Sequence, residues 1–262
     1  MRAHLVQYDI VWEDKKANHA IVRDLLGNAG VAHGDLVLLP EMFDTGFSLD
    51  VESTHDADRC SAGFLAEIAH ELRASVQASV TVKGADGRGR NRALVHSPDG
   101  ELLAEYDKIH PFTFGREGER FTGGQTVTTY TWMGDALDQK LHVCPAVCYD
   151  LRFPELFREG LTLGADAYAI GANWPADRHA HWQALSVARA IENQAYFFAV
   201  NRCGADPHLR YLGGSLAIGP QGEILAQADD QTGVLSVTVD PSEVLAWREI
   251  FPAWRDRSPA LR

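Results

Sequence analysis

Three stretches each place a reactive side chain at the end of an apolar, strand-like run: Leu36 to Glu41, Glu105 to Pro111, and Leu141 to Glu155. In the third, a strand ends at Cys148, the chain turns through Tyr149 and Asp150, and Pro154 stands where a helix tolerates proline in its first turn. A thiol on such a turn is exposed, and the backbone N–H of Tyr149 can bind a developing oxyanion. Taken singly, each residue has a plainer reading. Cysteine commonly just packs, Glu41 is a strand-end surface charge, and Lys108 is a solvated cation in front of Pro111. A cysteine nucleophile needs a base, and no histidine here lies in a recognisable Cys/His protease motif. A carboxylate whose pKa is raised by burial can take the thiol proton, and a lysine can hold charge on a tetrahedral intermediate. Glu41, Lys108 and Cys148 fit those roles.

Metal and redox chemistry have weaker claims. Cys144 and Cys148 form a C-x3-C pair without two further ligands at suitable spacing, and His179 with His181 is a short H-x-H. The four cysteines, Cys60, Cys144, Cys148 and Cys203, are too scattered for a disulfide framework. Reduced thiols, no metal and no cofactor are expected.

The elements that must position these groups alternate. Strand patterns run over 2–10, 35–39, 76–82, 92–96, 102–106, 125–132 and 141–147, and again over 165–172, 196–201, 214–218, 224–228 and 233–239. Helices are expected over 16–28, 63–73, 154–159 and 180–194, the last with a buried stripe of Trp182, Leu185, Ala188, Ile191 and Ala195. Gly84 to Gly89 reads as a hairpin tip. The class is α/β. Ala93 to Ala104 echoes Ser215 to Ala226 at a constant offset of 122, each copy a strand, a P-x-G turn and a second strand. Two similar halves in a single domain, 1–262, follow from that echo and from the lack of a Pro-, Gly- or Ser-rich linker.

Composition narrows the partners. The 262 residues are 45% hydrophobic and 23% charged, and 24 Lys+Arg against 36 Asp+Glu give a net charge of −12. That field repels nucleic acid and anionic membranes, and no basic cluster overrides it. No stretch approaches the ~18 apolar residues of a membrane span, and no apolar export segment opens the chain. A cytoplasmic protein acting on a small molecule is expected.

The motifs Leu39-Pro40-Glu41, Tyr106-Asp107-Lys108 and Cys148-Tyr149-Asp150-Leu151-Arg152, in this order, resemble the Glu-Lys-Cys triad of the nitrilase superfamily of carbon–nitrogen hydrolases, and the resemblance spans almost the whole chain. It implies a four-layer αββα sandwich of two pseudo-symmetric halves, which agrees with the hairpin echo. It also implies a second glutamate. Glu117 and Glu119 compete for that place, and the spacing to Phe121 and Gly124 favours Glu117, which would hold Lys108 and the substrate amide nitrogen. The stretches Pro40 to Phe47, Ala172 to Pro175, Arg189 to Tyr196 and Phe251 to Trp254 resemble the bacterial omega-amidase branch. Its members hydrolyse omega-amides of 2-oxo dicarboxylic acids, such as 2-oxoglutaramate, to the acid and ammonia. Related branches act on deaminated glutathione, N-carbamoyl compounds or nitriles; a silent binding subunit is the reading from another class. The implied mechanism is a Cys148 thioester, with Tyr149 N–H in the oxyanion site. For an anionic substrate, Arg152 and Arg178 are the candidate carboxylate partners, alongside Phe43, Phe47, Asn173 and Trp174 as further pocket residues. Homodimerisation, or a higher homo-oligomer, is expected through Ala180 to Gln194 and the aromatic tail Trp247 to Trp254.

Overall fold

The computed structural model describes residues 1–136 and 139–258. Uninterrupted apolar runs become strands covered on both faces. One sheet has the order β14 (Gly233–Thr238), β1 (Arg2–Gln7), β2 (Leu36–Leu38), β3 (Ser75–Lys83), β4 (Gly89–His96) and β5 (Leu102–Asp107). The other has the order β6 (Tyr130–Met133), β7 (Lys140–Val147), β8 (Ala167–Ala172), β9 (Tyr196–Asn201), β12 (Leu216–Ile218) and β13 (Ile224–Gln227). Read in these orders, both sheets run antiparallel, parallel, parallel, antiparallel, antiparallel. The echo therefore marks equivalent hairpins, β4–β5 and β12–β13. Their register shifts fall at Val95/His96 and Ala217/Ile218, the same 122 residues apart. Gly100 and Gly222 hold the matching turns at φ 80° and 90°, a region that glycine enters without strain.

Alternation of side chains separates the layers. Leu5, Leu36 and Leu38 of the first sheet meet Trp132, Val143, Phe198 and Ala217 of the second, forming the central layer. Val6, Val37 and Val76 face outward against α1 (Lys15–Gly27) and α3 (Cys60–Leu72). Cys144, Ile170 and Phe197 face the opposite way, against α5 (Pro154–Thr162) and α6 (His179–Asn193). The result is the αββα sandwich. Two single-turn helices, α2 (Val51–Thr54) and α4 (Glu117–Arg120), lie in the connections, and α7 (Pro241–Ile250) follows β14. No helix among the described residues is long and apolar enough to cross a membrane.

Two expectations are corrected, and further elements were not expected. The buried stripe of α6 is Trp182, Ser186, Arg189, Ala190 and Asn193, rotated from the expected one, and Ile191 is 52% exposed. The reason is polar: Arg189 is drawn inward because its guanidinium donates to the carbonyl of Leu151, Nη2 at 2.9 Å, while pairing with Glu192 at 2.9 Å. The ladder expected from Gln125 starts only at Tyr130, since Gly124 is engaged with Lys108 O at 2.9 Å and the chain up to Thr129 joins no strand. Helix α7 and a short hairpin, β10 (Cys203–Ala205) with β11 (Arg210–Leu212), had no counterpart in the expected elements. The cue for α7 was present: Asp240 caps it, accepting from Ser242 N, and Pro241 opens it. Its apolar pattern was misleading, because Leu245 and Ile250 face outward and only Val244 is buried.

Candidate active site

The reactive groups gather where strands of both sheets end. Glu41 follows β2 after Pro40, Lys108 follows β5, Cys148 follows β7, and Asn173 follows β8. The halves approach closely here: a Cβ on Gly171 would lie 2.7 Å from Leu39 O, so only glycine fits. Cys148 has φ 45°, a left-handed conformation rare for a residue with a Cβ, and Met42, beside Glu41, has φ 44°. The Cys148 turn is over-determined by a buried carboxylate. Asp150 accepts from Val147 N at 3.1 Å, Tyr106 OH at 2.7 Å, His110 N at 3.0 Å and His110 Nδ1 at 2.8 Å. Arg189 holds the next carbonyl, Leu151 O.

Around this turn stands a dry cluster of charge. Glu41 and Glu117 are fully buried and Lys108 is 2% exposed. Lys108 Nζ donates to Glu41 Oε1 at 2.8 Å and to Glu117 Oε2 at 2.8 Å. Glu41 Oε2 accepts from Asn173 N at 3.0 Å, and Glu117 Oε2 accepts from Phe112 N at 2.6 Å. The Cys148 thiol shares the cavity wall with Glu41 and lies close enough to feel its charge. Burial opposes the Lys108 charge, but the two glutamates outweigh it and hold the ammonium firmly protonated. Burial also pushes Glu41 up; Lys108 and the Asn173 N–H more than offset this and keep it below the usual carboxylate range. Glu117, beside the Glu41 charge, is raised by burial. The Cys148 thiol is pushed well up, first by burial and then by Glu41, so it rests protonated, and any attack by its sulfur would need a base.

A cavity of about 510 Å3 opens onto this cluster, with Glu41, Cys148, Tyr149 and Asn173 on its wall. Arg152 and Arg178 line it as well. Arg152 lies 4.8 Å from the Trp174 ring centroid, with Nη2 3.3 Å from His181 Nδ1; Arg178 lies 5.5 Å from that of Phe112. Neither pairs with a carboxylate among the described residues: Asp150 is taken by His110, and Asp177 does not bridge its neighbour.

Most of the candidate residues are thus brought together, including Trp174 and Phe47, whose ring centroid is 5.4 Å from Lys108 Nζ. Phe43 is the exception. It is fully buried against His19 and Phe64 under the first sheet and does not reach the cavity. The competing glutamates separate cleanly: Glu117 is in the cluster, whereas Glu119 is solvent-exposed and paired with Arg116 at 2.8 Å. Sequence reasoning missed Asn91, whose side chain touches both buried glutamates, and the β10–β11 hairpin, which brings His208 and Tyr211 to the cavity. Asn91 carried one usable signal, an inward place between two outward arginines on an alternating strand.

Comparison with known proteins agrees with this architecture. The carbon-nitrogen hydrolase family model matches residues 2–249. The chain is 36% identical over 259 residues to the omega-amidase YafV of Escherichia coli (strain K12), covering 98% of this chain and 96% of that one. It is 30% identical to a 2-oxoglutaramate amidase of Bacillus subtilis (strain 168), covering 86% and 85%. Among solved structures, a CN-hydrolase superfamily protein of Xanthomonas campestris with an arsenic adduct in its active site superposes with a TM-score of 0.90 at 33% identity, covering 98% and 97%. Amide hydrolysis within the nitrilase superfamily is the activity these relatives support, and the chain belongs to the carbon-nitrogen hydrolase family.

Proposed function

We propose that this protein hydrolyses the omega-amide of a small 2-oxo dicarboxylic acid, of which 2-oxoglutaramate is the type, through a thioester on Cys148. The observation that carries the reading is the buried Cys148 thiol beside Glu41, whose carboxylate takes bonds from Lys108 and the Asn173 N–H, on the wall of a cavity that also presents two arginines without carboxylate partners among the described residues. Glu41 takes the Cys148 proton as sulfur bonds to the amide carbonyl carbon. The oxyanion is held by Lys108 and the Tyr149 N–H. Collapse breaks the C–N bond, and Glu41 returns its proton to the departing nitrogen, which leaves as ammonia. Water then gives a proton to Glu41 while its oxygen attacks the thioester, and Glu41 passes that proton to sulfur as the C–S bond breaks, releasing the acid and the Cys148 thiol. Glu117 keeps Lys108 in place throughout. The substrate carboxylate meets Arg152 and Arg178, and Trp174 covers its carbon chain.

Ammonia release from 2-oxoglutaramate, succinamate, glutamine, an N-carbamoyl amino acid and a simple nitrile tests this. Activity is expected with the first two only, and Arg152→Met and Arg178→Met should each raise KM roughly tenfold to a hundredfold, in line with loss of a charge-assisted bond. Preference for the nitrile or the carbamoyl compound would overturn the substrate, and so would unchanged KM in both arginine variants. The relatives named as omega-amidase and 2-oxoglutaramate amidase support this choice within the family. Ile191 and Phe251, both more than half exposed, line one hollow with Trp247 that suits a second copy of the chain, and sedimentation velocity giving a monomer at micromolar concentration would exclude that.

A further inference from the structure

Asn91 lies on β4, 2% exposed, between Arg90 and Arg92, whose guanidiniums turn outward to Asp86 and Asp107. Its Nδ2 is 2.8 Å from Glu41 Oε1 and 3.3 Å from Glu117 Oε1. A primary amide has two protons to donate, so one side chain serves both carboxylates. Lys108 reaches the same Glu41 oxygen, Oε1, but the other oxygen of Glu117, Oε2.

This makes the two oxygens of Glu41 unequal. Oε1 takes two short side-chain bonds, from Lys108 and Asn91. Oε2 takes the Asn173 N–H at 3.0 Å and a long contact from Asn173 Nδ2 at 3.4 Å. An oxygen already holding a cation and an amide N–H is the poorer base, because each donor stabilises its negative charge. Oε2 keeps the freer lone pair.

We propose that Asn91 is a positioning residue for the general base: it saturates Oε1 of Glu41, ties that carboxylate to the second one buried beside it, and leaves Oε2 to take the Cys148 proton. This rests on the reading of Glu41 as base and Cys148 as nucleophile. The groups facing Glu41 are Lys108, Glu117 and Cys148, with the Tyr211 phenol close enough to feel its charge. Among the described residues, only Lys108 and Asn91 donate to Oε1. Lysine alone bridges the glutamates by charge; Asn91 bridges them without adding any. The backbone part of Asn91 is separate, since its carbonyl accepts from Lys108 N at 2.9 Å whatever the side chain.

The test uses Asn91→Leu, which removes both donors at similar size, and Asn91→Asp, which keeps the shape and adds a third carboxylate. Both should lose at least tenfold in kcat with KM within about twofold, as expected when a bond to a charged partner is lost. The acid limb of kcat/KM should move up by about one pH unit in Asn91→Leu, because ionised Glu41 has lost a donor, and further in Asn91→Asp. A lowered kcat with an unmoved acid limb would reduce Asn91 to a packing role, and an unchanged kcat would remove the proposal. If Asn91→Leu does not fold, the isosteric Asn91→Asp decides by the same limb. Glu41→Gln and Cys148→Ala separate the two levels: turnover in either sinks the base-and-nucleophile reading itself, whereas two inactive controls with a normal Asn91 profile sink only this inference.

Discussion

Cys148→Ala and Glu41→Gln are each expected to lower kcat by about four orders of magnitude or more, the scale seen when one member of a nucleophile–base unit is removed, while leaving a folded protein. The thiol contributes little packing that alanine cannot replace, being small and on the cavity wall. The Glu41→Gln change removes the carboxylate proposed as the base but keeps the shape that contacts Asn173. Because burial and the Glu41 charge keep the thiol protonated, no preformed thiolate remains to sustain slow turnover without the base. The other cysteines provide the control. Cys144 is packed on Gly160 under α5, Cys203 hydrogen-bonds Thr232, Cys60 is exposed at the start of α3, and none lines the cavity. Cys60→Ala should therefore leave kcat/KM within about twofold, by the usual behaviour of exposed substitutions. Loss of turnover on replacing any of these three instead would place the nucleophile elsewhere.

Lys108→Met should damage stability as well as chemistry. Both Glu41 and Glu117 take a bond from the same ammonium at 2.8 Å, and neither reaches solvent. Removing one partner of a buried ion cluster leaves uncompensated charge, which costs about 3–5 kcal/mol. The sign with pH follows from the carboxylates. Without the lysine, burial and mutual repulsion raise their folded pKa values above the ordinary 4.5, so the folded variant binds more protons than the unfolded chain. Its deficit relative to the wild type is then largest at pH 7–8 and shrinks as the pH falls towards the unfolded value. Urea unfolding of both proteins at pH 8 and pH 5 measures this; an equal deficit at the two pH values would mean that the lysine acts through packing alone. Turnover should fall by about a thousandfold or more at every pH, as for loss of an oxyanion partner.

What was legible in the sequence follows from where each residue sits. Glu41, Lys108 and Cys148 stood out because each ends an apolar run, and strand ends are where a layered fold presents chemistry. The twofold echo was legible because turn chemistry is local: proline and glycine at fixed places demand the same hairpin in both halves. Phe43 and Phe47 were not separable. Residues 39–46 are buried throughout, and Met42 reverses the chain at positive φ, so alternation has no meaning there and only tertiary structure sends Phe43 under the sheet. The face of α6 was misread because the rule that apolar residues turn inward fails where a buried arginine secures the Cys148 turn. The hairpin over β10 and β11 is three residues a strand, too short for a periodic signal, yet it brings His208 and Tyr211 to the cavity.

The central claim is a covalent acyl–sulfur intermediate on Cys148. Acid quenching of the protein within milliseconds of mixing with 2-oxoglutaramate, followed by digestion and mass spectrometry, tests it directly. The account predicts a transient adduct, equal in mass to the substrate less ammonia, on the peptide containing Cys148 and absent from Cys148→Ala. Rapid ammonia release with no adduct, or an adduct on Cys60, Cys144 or Cys203, would contradict it.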